Sequence, residues 1–254
     1  MNIIVCAKQV VDVGEIKIDP SSKKPILAGI PQKISDIDKN ALEEAIRLKE
    51  KHGGKITVLT VGPADAKERM KELLAMGADE GVLVQPPAHA DYHVTAHLLA
   101  GAIKKISAYD IIFCGEASID LFSGQLGPRL ASLLHIPQIT YAQQVNAEPG
   151  KIISEKNLGD KAITIESPYP VLVTVTKEIN QPRLPSLMAI LASSSKPIHE
   201  WAASDLAPGH LEPKIKTLDI KGVPMQRKNI IFQDDLDQSV GKLVDELAKV
   251  GVLR

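Results

Sequence analysis

Residues 110–134 read DIIFCGEASIDLFSGQLGPRLASLL. The opening apolar run has strand character and ends at Gly115. Leu126, Leu130, Leu133 and Leu134 then recur at the spacings of one helix face. Three glycines, an acid and a hydroxyl accompany this transition, in neither the G-x-G-x-x-G nor the G-x-x-x-x-G-K-[ST] pattern. In an open parallel sheet, ligands settle in the crevice outside the carboxyl ends of the strands. The first amides of the helix, at Gly124, Gln125, Leu126 and Gly127, then point into that crevice as an anion site at the positive end of the dipole. On this reading a Cβ at Gly124 or Gly127 would hold a phosphate away from the amides. Asp120 caps the helix or holds a ribose hydroxyl, and Ser123 adds a donor. The plainer alternative is a βα connection that uses glycine only to turn, and spacing leaves both open.

The same strand type recurs at 2–7 (NIIVCA), 56–61 (ITVLTV) and 81–85 (GVLVQ). Between these runs lie amphipathic helical patterns, DKNALEEAIRLKEKHGG from residue 38 and ADAKERMKELLAMGAD from residue 64. Apolar strands without alternation, interleaved with such helices, predict an α/β fold with a parallel sheet covered on both faces. The texture changes after about residue 138. ITYAQQVNA, KIISEK, KAITIE and VLVTVT have period-two character and predict a small antiparallel addition at the sheet edge.

Residues 203–224 hold Pro208, Gly209, Pro213, Gly222 and Pro224 with little apolar content, which predicts a linker. Beyond it, Leu236, Val240, Leu243, Val244, Leu247 and Val250 mark one face of a helix. Residues 1–202 thus read as one α/β domain, and 203–254 as a linker and C-terminal arm ending in an amphipathic helix. That helix either packs back on its own domain or crosses to a second subunit.

Thirty basic residues face thirty-one acids, and aromatics make up only 3%. No net positive field draws a polyanion and few rings are present to stack bases, so nucleic-acid binding is disfavoured. No segment reaches the roughly 18 apolar residues of a membrane span, and no basic-then-apolar leader is visible, so a cytoplasmic protein is expected. Cys6 and Cys114 lack C-x-x-C spacing and read as buried small hydrophobes in a reducing compartment.

A second group of residues falls at the same sheet edge. Ser35 and Asp38 are spaced like a capping box, yet they also belong beside Ala7, Lys8 and the Thr60-Val61-Gly62 turn as pocket walls. His89, His93 and His97 are four apart, but His89 precedes the N-cap Asp91 and no fourth ligand presents itself, so a metal site is disfavoured. The remaining histidines, 52, 135, 199 and 210, pair with no Ser or Cys nucleophile, and no catalytic residue is expected. QPRLPSL (181–187) is a proline-stiffened loop whose Leu184 and Leu187 are candidate partner anchors.

Several motifs together resemble the electron-transfer flavoprotein beta-subunit family: VCAKQVVD (5–12), ALEEAIRLKE (41–50), LLAMGAD (73–79), GEASIDLFSGQLGPRLASLL (115–134) and VTKEINQPRLPSL (175–187). The resemblance covers about residues 1–200. It implies a nucleotide-binding domain of the adenine-nucleotide alpha-hydrolase type, paired with an alpha subunit that carries a redox-active FAD. It carries cofactor contact onto Ala7, Lys8, Ser35, Asp38, Thr60, Gly62, Gly115, Asp120, Gly124, Gln125, Leu126 and Gly127. Leu187 falls where the family docks on partner dehydrogenases of the flavin-dependent acyl-CoA type, and the arm falls where members wrap the alpha subunit.

Members hold either structural AMP or, in the electron-bifurcating group, a second FAD that meets NADH. The VTKEINQPRLPSL form and Trp201 resemble the bifurcating group, so FAD is the expected ligand. Ser35-Asp36 replaces the usual Asn-Pro, Glu116-Ala117 replaces a basic residue and Gln, and ASSSKP replaces a lysine-rich run. The rival readings are a nucleotide-binding sensor module without a redox role and an ATP-splitting ligase. The ligase would need an S-G-G-x-x-S-like loop that VCAKQVVD lacks.

Overall fold

The computed structural model describes residues 1–207, 211–223 and 228–253. Pro208, Gly209, His210 and Pro224 lie outside the described residues. In chain order the elements begin with β1 (Asn2–Cys6), β2 (Gln9–Val11), β3 (Lys17–Ile18), β4 (Pro25–Ile26), β5 (Gln32–Ile34) and α1 (Asp36–His52). Next come β6 (Lys55–Val61), α2 (Ala66–Met76), β7 (Glu80–Gln85), α3 (Tyr92–Ile106), β8 (Ile111–Gly115) and α4 (Leu126–Leu134). The chain continues through β9 (Gln138–Ala142), β10 (Gln144–Glu148), β11 (Lys151–Asn157), β12 (Ala162–Pro168) and β13 (Val171–Val175). It ends with α5 (Leu187–Ser193), β14 (Ile198–Ala202) and α6 (Leu236–Lys249).

Seven strands form one sheet in the order β14-β7-β6-β1-β8-β13-β9, and every neighbouring pair is parallel. The α/β expectation therefore holds. Parallel strands need crossovers, and the crossover helices cover both faces, which is why the central strands are apolar on each side. Ile3, Val5, Ile56, Val58 and Phe113 pack against Leu42, Ile46, Met70 and Leu73 of α1 and α2. Their neighbours Ile4, Leu59 and Cys114 face Val94, Leu98, Ile103 and Leu130 of α3 and α4.

The antiparallel addition is smaller than the sequence predicts. Of the runs after residue 138, β10, β11 and β12 alone pair antiparallel, and two further antiparallel pairs, β2–β5 and β3–β4, lie near the N-terminus. ITYA and VLVTV, expected in that addition, are β9 and β13 of the main sheet. All five residues of β13 are buried, so Thr174 and the buried Thr176 just beyond the strand mimic an alternation that does not exist in three dimensions. Thr174 is satisfied locally, its Oγ1 accepting from the Tyr141 amide at 3.0 Å.

The short strands β2 to β5 have no forecast in the sequence, and neither do β14 and α5. β14 (IHEWA) extends the sheet beside β7, its polar residues tolerated because it is an edge strand. α5 follows the proline-rich loop and packs on α2, where Lys196 Nζ donates to the C-terminal carbonyls of Leu74 and Ala78 at 2.8 and 2.7 Å. No residue of α6 is buried. Leu236, Val240, Leu243 and Val244 stand exposed, so the helix does not pack back on its own domain. Among the described residues no helix is long and apolar enough to cross a membrane.

Candidate functional site

The carboxyl ends of β1, β6 and β8 open into a cavity of about 890 Å³. Its walls are Cys6, Ala7 and Lys8 after β1, Leu59 and Val61 of β6, and Cys114 and Gly115 at the end of β8. The loop from Glu116 to Gln125, the first turns of α3 and α4, and residues 213–217 complete it. Of the residues predicted as contacts, Ala7, Lys8, Asp38, Gly115, Ser123, Gly124, Gln125 and Leu126 line this space.

The other five lie behind the wall or beside it. Gly127 is buried against β13, where an added Cβ would fall inside the Thr174 methyl and 3.4 Å from Leu172 Cδ2. Its missing side chain therefore serves helix–sheet packing, not phosphate approach. Gly124 has φ of 62°, and a Cβ there would meet Tyr141 Oη at 3.3 Å, so this glycine serves the turn. Thr60 follows the strand alternation onto the α1–α2 side, with its buried Oγ1 unpartnered. Gly62 extends the β6–β7 ladder, its amide donating to the Val84 carbonyl at 3.0 Å.

Ser35 takes the N-cap position of α1 but makes no side-chain cap. Its Oγ instead accepts from the Ile119 amide at 3.4 Å. Asp38, expected as the reciprocal partner, also turns away from the capping box. Its Oδ2 accepts from the Lys8 amide at 2.9 Å and its Oδ1 from the Gly115 amide at 3.2 Å. One buried carboxyl thus ties the ends of β1 and β8 together. Burial pushes its pKa up to about 7 against the pull of those two amides and the Lys8 charge.

Lys8 Nζ meets Asp120 Oδ2 at 2.6 Å. Burial raises the Asp120 carboxyl, but the Lys8 ammonium pulls harder and holds it below the usual range. Asp120 therefore does not cap α4, whose N-cap is Gln125 without a side-chain cap bond. The second oxygen of Asp120 is buried and unpartnered. The amides of Gln125, Leu126 and Gly127 have no protein partner among the described residues. Pro128 contributes no N–H, so the donors of this helix end are concentrated in one turn.

Two wall segments were missed by sequence reasoning. One is the stretch from His89 to Thr95 at the start of α3, and the other is 213–217. Asp91 was legible as the N-cap, and its Oδ1 accepts from the Val94 amide at 3.0 Å. Its Oδ2 accepts from the Lys214 and Ile215 amides at 2.6 and 2.9 Å, a pairing across more than a hundred residues that no local pattern signals. Burial opposes ionisation there, but these amides hold the carboxyl below its ordinary value. His93 and His97 sit on α3 with rings 4.3 Å apart, and His97 Nδ1 donates to the His93 carbonyl. Among the described residues no group of three or more His, Cys, Asp or Glu is arranged to hold a metal. Cys6 and Cys114 are free and buried as expected, yet both border the cavity. Contact with Cys6 and burial drive the Cys114 thiol well above its ordinary pKa, so it is a poor nucleophile.

Leu184 and Leu187 are 93% and 72% exposed, and Met188 and Leu191 extend the patch along α5. The loop beneath is clamped to α1. Arg183 Nε donates to Glu43 Oε2 at 2.8 Å while its other nitrogens reach Glu50. Asn180 and Asn40 exchange bonds, each side-chain amide donating to the other's backbone carbonyl at 3.0 and 2.7 Å. Leu184 and Leu187 thus form an exposed apolar tip on a clamped base.

Comparison with known proteins decides the family. The profile described as "Electron transfer flavoprotein domain" matches residues 26–206. An electron transfer flavoprotein subunit beta of Thermoanaerobacterium thermosaccharolyticum is 43% identical over 97% of this chain and 98% of its own length. The chain belongs to the electron transfer flavoprotein beta-subunit family. Its role in electron transfer comes with that membership. A caffeyl-CoA reductase-Etf complex subunit CarD of Acetobacterium woodii is 38% identical, covering 81% of this chain and 80% of its own. An acryloyl-CoA reductase electron transfer subunit gamma of Anaerotignum propionicum is 32% identical over the whole of both chains.

Proposed function

We propose that this chain binds FAD in the cavity at the ends of β1, β6 and β8. In this reading it serves as the beta subunit of a heterodimer, passing electrons from NADH, by bifurcation, between the alpha-subunit FAD and a flavin-dependent acyl-CoA dehydrogenase-type partner. The observation that carries the reading is the cavity itself. Its volume of about 890 Å³ lies near the top of the roughly 300–1,000 Å³ range of ligand clefts. That suits a dinucleotide better than AMP.

The residues present fit such a group. The unpartnered amides of Gln125 and Leu126 stand at a helix N-terminus on the cavity wall, where phosphate is favoured, and Lys8 adds a cation. Asp120 holds the Lys8 ammonium at the cavity wall, and Asp38 fixes the two strand ends that frame the site. Bound FAD would supply the electron-carrying chemistry; the protein binds, orients and shields it. Leu184 and Leu187 on the clamped loop are the proposed dehydrogenase anchors, and the open apolar face of α6 is the proposed contact with the alpha subunit. Two relatives carry caffeyl-CoA and acryloyl-CoA reductase in their names, which supports a CoA-ester oxidoreductase as partner.

Titration of the chain with FAD, followed by flavin fluorescence, tests the site. Lys8→Ala is expected to weaken binding about tenfold, the worth of one charge-assisted bond. Equal affinity of the two chains would place the phosphates elsewhere.

A further inference from the structure

Residues 213–217 wall the cavity without belonging to any sheet or helix. What holds them there is one side chain. Asp91 divides its two oxygens between separate duties. Oδ1 caps α3 through the Val94 amide, and Oδ2 takes both the Lys214 and Ile215 amides. The segment is fixed again at its far end, where the Gly222 amide donates to the Lys23 carbonyl at 2.8 Å and Gly222 lies against Ile18. Between the two anchors Leu218 and Ile220 stand exposed. Little apolar burial opposes lifting the strap once its polar tether is cut.

We propose that Asp91 is a positioning residue for the nucleotide site, a latch that holds the 213–217 strap as a wall of the cavity and whose release opens the cavity to nucleotide exchange. The proposal rests on the reading of the cavity as a nucleotide site. Its physical basis is that two amide bonds to one carboxylate are the strap's polar link to the cavity rim among the described residues. Charge-assisted bonds of this kind exceed neutral ones in strength. The chain beyond the strap leads to α6 with its open apolar face.

Two variants of the full chain test this. Asp91→Asn keeps one amide oxygen but turns a donor toward the N–H groups it must serve. Ile215→Pro deletes one of the strap's donors and leaves Asp91 and its α3 cap intact. Amide exchange at Lys214 and FAD dissociation are measured on both variants and on the parent chain. The expected result is lost protection at Lys214 together with FAD release about tenfold faster in each variant. Lost protection with unchanged FAD release would overturn the latch, as would an unprotected Lys214 amide in the parent chain. A parent chain with a protected Lys214 amide that binds neither FAD nor AMP would remove the nucleotide reading, and the latch's role with it. That outcome is distinct from a latch that fails to form.

Discussion

Gly127→Ala is expected to destabilise the fold by about 1–3 kcal/mol, the usual cost of forcing a methyl into a closed contact. The added Cβ points into the Thr174 methyl and onto Leu172 of β13, both wholly or nearly buried. Neither is the far end of a flexible chain, so α4 itself must move away from the sheet. The same displacement shifts the amide of Leu126 at the cavity wall, so ligand binding falls as a consequence of packing. Thr174→Ser removes the obstructing methyl while keeping the hydroxyl that accepts from the Tyr141 amide. The double variant Gly127→Ala with Thr174→Ser should therefore recover much of the loss. Urea unfolding midpoints of the four chains measure this directly; additive losses would mean the contact is not the cause.

Asp38 gives the second large effect. Its folded-state pKa of about 7 lies above the ordinary 3.8, so the folded chain holds a proton there that the unfolded chain releases. The resulting stability is fully present below about pH 4 and is lost as pH rises through about 7. The swing is on the order of 4 kcal/mol, at ~1.36 kcal/mol per unit. Asp38→Asn cannot titrate. It also sets an amide NH₂ against one of the two N–H donors of Lys8 and Gly115, at a cost of about 1–3 kcal/mol. The variant should be the weaker chain near pH 4 and match or exceed the parent by pH 7–8. Thermal melts across that range would show parallel curves if Asp38 did not titrate in the fold.

These two positions also show what the sequence makes legible. Strands buried on both faces announce themselves as unbroken apolar runs, so β1, β6, β7 and β8 are readable, and so is the crevice at their ends. Lys8, Asp38 and Gly115 were read into one pocket because they follow or face those strand ends. What stayed hidden is long-range. The reason for a glycine at 127 is Thr174, forty-seven positions later, and no local pattern connects them. β13 imitates a half-exposed strand because Thr174 within it and Thr176 just beyond it are polar yet buried. β14 was missed because an edge strand needs no apolar run. The wall at 213–217 depends on the free oxygen of an N-cap, a capacity that composition does not advertise.

The central claim is that the β1–β6–β8 cavity holds a flavin dinucleotide. Co-purification of the chain with an electron transfer flavoprotein alpha subunit, followed by denaturation and identification of every released nucleotide, tests it most directly. The account predicts two FAD per heterodimer. One FAD with one AMP would contradict it and leave an ordinary carrier with a structural nucleotide, while release of no flavin would contradict the electron-carrying role of the cavity altogether.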